Sequence, residues 1–71
     1  MQIVYNSKTD VLYLRLDSKK QAVHNKRFTE DIVLDLGDGD KIVGIEILDA
    51  SAQLELQNLL PVQYKLTPEL A

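Results

Sequence analysis

Glu46 and Asp49 stand three residues apart at the end of an aliphatic run, and Asp35 precedes them across a Gly/Asp-rich stretch. Paired carboxylates do acid–base chemistry when their surroundings push the two pKa values apart. A strand-surface glutamate and a helix cap account for the same two residues without any chemistry. His24 is the only histidine and stands beside Lys26 and Arg27. A general base needs an orienting partner, and none is near it in sequence, so His24 reads as a surface residue. Tyr5 and Tyr13 could stack on bases, but tyrosine in a strand usually packs. Lys19-Lys20 and Lys26-Arg27 could touch phosphate. The acidic balance of the whole chain, however, argues against a nucleic-acid partner.

The stretch Gly37-Asp38-Gly39-Asp40 invites a metal or phosphate reading. A calcium loop starting at Asp35 needs oxygen ligands at its third and fifth positions and glycine at its sixth. Those positions hold Gly37, Gly39 and Asp40, and the flanks are strand-like rather than helical. A phosphate loop needs Gly-Lys-Ser/Thr opening a helix, whereas Gly39-Asp40-Lys41 leads into a strand. A tight bend between two strands explains all four residues, because glycine supplies positive φ freely and aspartate tolerates it. Asp10 and Asp17, at strand ends, read as turn residues in the same way. The sequence therefore predicts no catalytic, cofactor-binding or metal-binding residue and no cofactor.

The elements that position these residues follow from periodicity. Apolar residues alternate through Ile3–Asn6, Val11–Asp17, Ile32–Leu36 and Ile42–Leu48, with a more polar strand over Ala22–Thr29 suited to an edge. Leu12/Leu14/Leu16, Ile32/Leu34/Leu36 and Val43/Ile45/Ile47 fall on one face. Val4, Val11, Tyr13, Val33, Ile42 and Leu48 fall on the other. Gly44, inside a strand, marks close packing or a bulge. The links are too short for parallel crossovers, so the strands must run antiparallel. Ala52, Leu56, Leu59 and Leu60 form a helical stripe, with Asp49 or Ser51 as cap and Pro61 as stop. The expected fold is α+β: an antiparallel β-meander of four to five strands over about residues 2–48. One C-terminal helix, about 51–60, packs on one face, and a short extended tail spans 61–71, all in a single domain 1–71.

Composition bounds the function. The chain has 71 residues with no cysteine, which excludes disulfides and thiolate metal sites and fits a cytoplasmic location. No apolar run approaches the roughly 20 residues that span a bilayer, so no membrane association is expected. Residues 1–27 carry a net charge of +4 and residues 28–71 a net −7, together −3. Such a split suits a charged protein partner or head-to-tail association. A domain this small buries only about 60% of its unfolded surface. One short helix cannot cover two apolar sheet faces. A homodimer is the expected remedy, and the expected function is a non-enzymatic interaction module with room for a protein partner.

Three ordered motifs carry a family resemblance. Lys41-Ile42-Val43-Gly44-Ile45-Glu46-Ile47-Leu48-Asp49-Ala50-Ser51, after a Gly/Asp turn, resembles the "G-[RK]-[IV]-V-G-I-E-I-L-[DN]-A-S" signature of the small prokaryotic Domain of Unknown Function 2283 family. Tyr5-Asn6 through Asp10-Val11-Leu12-Tyr13-Leu14 is similar to its opening "Y-D…D-[AV]-L-Y-[IL]", with Asn6 in place of the usual aspartate. Ile32-Val33-Leu34-Asp35-Leu36 resembles its "[IV]-[IV]-[VL]-D" strand. The likeness spans about residues 3 to 60. It implies a small sheet with a C-terminal helix and brings no established catalytic residue, cofactor or ligand. Some members look like the antitoxin-side partner of small ribonuclease-like toxins. That role, or a small-ligand or metal-binding role for the acidic strand ends around Asp35, Glu46 and Asp49, is the alternative expectation.

Overall fold

A computed structural model of the chain describes residues 1–68. The end of the expected tail, 69–71, lies outside the described residues. Five strands form one antiparallel sheet: β1 (Gln2–Asn6), β2 (Val11–Arg15), β3 (His24–Arg27), β4 (Ile32–Leu36) and β5 (Ile42–Ile47). Their order is β1-β2-β5-β4-β3, so the chain is not the simple meander expected from its short links. After β2 it leaves the growing sheet, builds the β3-β4-β5 half, and returns β5 to lie against β2. The most aliphatic run thereby takes the centre, where both its edges are paired. The charged β3, all four residues exposed, takes an outer edge as its polarity predicted.

Registers place the apolar triplets as the alternation required. Leu12 and Ile32 both oppose Ile47, and Leu14 and Leu34 both oppose Ile45. These rows make one face aliphatic across three strands. Leu12, at 2% exposure, is its best-buried side chain. Burial of one leucine contributes about 1.5–3 kcal/mol. A register shift between Asp35 and Leu36 leaves Ile42 rather than Val43 opposite Leu36. Val43 keeps the Ile45/Ile47 face across that irregularity, at 5% exposure, and Ile42 turns out at 48%.

The expected ten-residue helix is not formed. A four-residue helix α1 (Ala50–Gln53) is followed by extended backbone at Leu54 (φ −131°, ψ 151°) and a 3-10 turn over Leu56–Asn58. The break has a packing reason. Leu54 lines a hollow with Ile32 and Ile47, while Leu56 and Leu59 line another with Ile3, Tyr5 and Leu12. In a continuous helix, positions two apart point nearly opposite ways, so Leu54 and Leu56 could not both reach the sheet. The extended residue lets both do so. The described chain is therefore mainly β, with little helix. This short roof covers one end of the aliphatic face and leaves Leu14, Leu34 and Ile45 half-buried. No helix of the described residues is long and apolar enough to cross a membrane.

The turns bear out the bend reading of Gly37–Asp40. A 3-10 turn over Asp38–Asp40 joins β4 to β5, with Gly39 at φ 68° and Asp40 at φ 59°. Asp10 and Asp49 also adopt positive φ, so every left-handed non-glycine residue described is an aspartate. The β2–β3 connection passes beneath the Gly37–Asp40 turn, where Gln21 Oε1 accepts a hydrogen bond from the Asp38 amide at 2.9 Å.

Candidate functional site

Two polar constellations emerge. The first lies on the face away from the roof. Tyr13 on β2 opposes Glu46 on β5, and Asp35 on β4 opposes both Gly44 and, on its other side, Asn25. Gly44 has no side chain, and the Tyr13 ring fills the space. A Cβ at Gly44 would sit 2.7 Å from Tyr13 Cζ. Lying across the β5 backbone, the ring brings its hydroxyl toward Asp35, which together with burial raises the phenol's pKa. Asp35 is 8% exposed, the one buried charged residue described. Asn25 Nδ2 donates to Asp35 Oδ1 at 2.5 Å and to Glu46 Oε2 at 3.3 Å.

Burial first, then the neighbouring Asp35 carboxyl through hydrogen bonding and through its charge, pushes the Glu46 carboxyl above its ordinary value. The Tyr13 phenol is raised as well, first by burial and then by Asp35. A carboxyl raised beside a second carboxyl has part of the electrostatics of an acid–base site. Its hydrogen bonds, however, run inward among its own members. No buried side-chain polar atom among the described residues lacks a partner, and no three His, Asp or Glu residues gather to hold a metal ion.

The second constellation is a latch. Asp10, in the β1–β2 turn, accepts from the Tyr5 hydroxyl at 2.7 Å and the Ser51 amide at 3.0 Å through Oδ1. Its Oδ2 accepts from Ser51 Oγ at 2.7 Å, and its backbone carbonyl from the Ala50 amide at 2.9 Å. These bonds, those of Ser51 first, hold the Asp10 carboxyl below the usual range, and the Tyr5 phenol is correspondingly raised by its bond to Asp10. The latch seats the start of α1 on the first hairpin. Asp49 occupies the N-cap position but makes no side-chain cap bond, so the capping carboxylate comes from Asp10, forty-one residues upstream of Ser51.

The sequence-derived candidates thus separate. Asp35 and Glu46 come together, and Asp49 makes no hydrogen bond to either. His24 is exposed, its Nε2 3.4 Å from Asp40 Oδ1 across the edge. Arg27 is spent on the Glu30 carbonyl at 2.6 Å. Asn25 was missed, because only the β3–β4 register places its amide between two carboxylates. Gly44 was the available signal: a glycine in an aliphatic strand marks a close approach, and the approaching group is Tyr13.

A single twisted antiparallel layer, partly roofed at one end, tied by a carboxylate latch and carrying an internal carboxyl pair, defines a small β-sheet domain. The chain belongs to the family described as a protein of unknown function (DUF2283), whose model matches residues 2–51. The first and last of the three motifs meet at the latch, in Tyr5, Asp10 and Ser51. Comparisons with curated proteins and with solved structures found no match.

Proposed function

We propose that this protein is a non-enzymatic interaction module that acts as a homodimer in the cytoplasm. The observation that supports it is the distribution of large apolar side chains. Val4, Leu16, Phe28, Ile42 and Leu60 are 44–71% exposed in a folded chain of modest size, while the polar network is satisfied internally. Where such groups gather, as Leu60 does beside Ile3 and Tyr5, they favour protein contacts. The half-roofed row of Leu14, Ile45 and Leu34 offers a further surface on which a protein partner would dock. Sedimentation equilibrium tests the reading: a dimer is expected at micromolar concentration, and a clean monomer at high micromolar concentration would overturn it.

The alternative of a small-ligand or metal site draws on the Asp35–Glu46 pair alone. Titration with calcium, manganese or zinc that raised the thermal midpoint would favour it over the interaction module. An unchanged midpoint removes its metal version.

A further inference from the structure

The two edges of the sheet differ in chemistry. At the β3 edge, His24, Lys26 and Arg27 stand exposed on a four-residue strand. Charge of one sign along an edge repels a second copy and discourages strand addition. The β1 edge has no such guard. Gln2-Ile3-Val4-Tyr5-Asn6 holds no charged residue, and four of its five residues are exposed. Among the described residues β1 pairs only with β2, so half of its backbone N–H and C=O groups face outward without a strand partner there.

Apolar surface gathers at this same edge. Met1 is 75%, Val4 44% and Tyr5 40% exposed. On the roofed side, a hollow of about 260 Å³ opens between Ile3, Tyr5 and Leu12 of the sheet and Leu56, Leu59 and Leu60 of the roof. Leu60, at its rim, is 71% exposed. An unguarded backbone edge and an apolar margin on both faces coincide here; at β3 the exposed Val23 and Phe28 flank a strand whose own edge carries Lys26 and Arg27.

We infer that β1 is the dimerisation edge and that its occupant is β1 of a second copy. The inference rests on the homodimer reading above and names the surface that carries it. Antiparallel addition would join two five-stranded sheets into one of ten strands. A two-fold axis perpendicular to the sheet keeps the roofed faces on the same side. Paired residues must then share a face, which sets the register over the whole strand. Val4 meets the partner's Val4, Ile3 meets the partner's Tyr5, and Gln2 meets the partner's Asn6. The neutral edge is self-complementary in this register: aliphatic meets aliphatic or aromatic at the centre, and amide meets amide at the ends. No like charges are brought together, as they would be if β3 met its own copy.

Charge at position 4 tests both the edge and the register. Val4 is 44% exposed, so Val4→Lys is tolerated in one folded copy but sets two ammonium groups against each other at the axis. The expected result in sedimentation is self-association weakened on the order of a hundredfold, with circular dichroism unchanged. Val4→Glu does the same, and an equimolar mixture of the two variants recovers the dimer. Lys26→Gln on β3 leaves the wild-type dimer intact. In the wild type, amide exchange of β1 slows as protein concentration rises.

A folded Val4→Lys variant that remains dimeric, or a mixture that stays monomeric, overturns the β1 assignment while the homodimer reading stands. A monomeric wild type overturns both. If position 4 variants fail to fold, the amide exchange decides: β1 amides whose exchange is independent of concentration in a dimerising protein refute the edge.

Discussion

Gly44→Ala discriminates between two opposite expectations. Glycine within a strand ordinarily costs about 0.5–1 kcal/mol relative to alanine, so the substitution in an open strand would stabilise the protein. Gly44 has no positive φ to forbid a side chain. Here the new Cβ would lie 2.7 Å from Tyr13 Cζ and 2.8 Å from Cε1, well inside ordinary contact. Forcing a methyl group into a filled space costs about 1–3 kcal/mol. Swinging the ring away also moves its hydroxyl from Asp35. The steric loss outweighs the backbone gain, and the net expectation is a loss of about 1 kcal/mol. Urea unfolding followed by circular dichroism reads it. With a slope near 1 kcal/mol per molar for a small domain, the midpoint falls by about 1 M. In a Tyr13→Ala background the obstacle is gone, and Gly44→Ala should become neutral or stabilising. A double-mutant cycle therefore shows a large coupling between positions 13 and 44. Equal effects of Gly44→Ala in both backgrounds would refute the packing of Tyr13 over β5.

The two carboxyl constellations carry opposite pH signatures. Glu46 binds its proton more tightly folded than unfolded, so its contribution is complete below the unfolded pKa and is lost as pH rises through the folded one. Glu46→Gln, which cannot ionise and keeps an amide beside Asp35, should stabilise the protein at neutral pH, and the advantage should vanish on mild acidification. Thermal midpoints of both proteins across that range check this, and a constant difference would contradict it. Asp10 has the reverse sign: its depressed pKa makes the latch fully stabilising above the unfolded value, and that stability is lost as pH falls through the folded one. Ser51→Ala removes the hydroxyl that reaches Asp10 Oδ2, and amides 50–54 should exchange several-fold faster while the β4–β5 amides do not change. Uniform acceleration across the sheet would show that the latch governs the whole fold rather than the roof.

Much of this molecule is legible locally. The alternation of Leu12/Leu14, Ile32/Leu34 and Ile45/Ile47 assigns faces, because successive side chains of any strand point to opposite sides. The polarity of His24–Arg27 marks an edge, since a charged strand is poorly placed in the middle of a sheet. Gly39 and Asp40 announce a bend through the backbone conformations they tolerate. The acidic pair was half visible: Asp35 and Glu46 were candidates, but Asp49 stood beside them in the sequence and makes no hydrogen bond to them in the fold. The sequence offers Asp49 or Ser51 as the cap and not Asp10, because a cap contributed by a distant turn leaves no mark at the helix itself.

By sequence alone, then, the chain is committed to antiparallel strands with one aliphatic face, a Gly/Asp turn and a charged margin. Those features depend on side-chain period and φ preference, which act over a few residues. Strand order, the break at Leu54 and the meeting of Tyr13, Asn25, Asp35 and Glu46 were decided only in three dimensions. An aliphatic strand satisfies the same alternation beside any neighbour, and closing a longer loop costs little more than closing a short one. The choice of β2 as neighbour to β5 therefore falls to the packing of all five strands together. The roof, in turn, gives up helical hydrogen bonds where two leucines two positions apart both find the sheet.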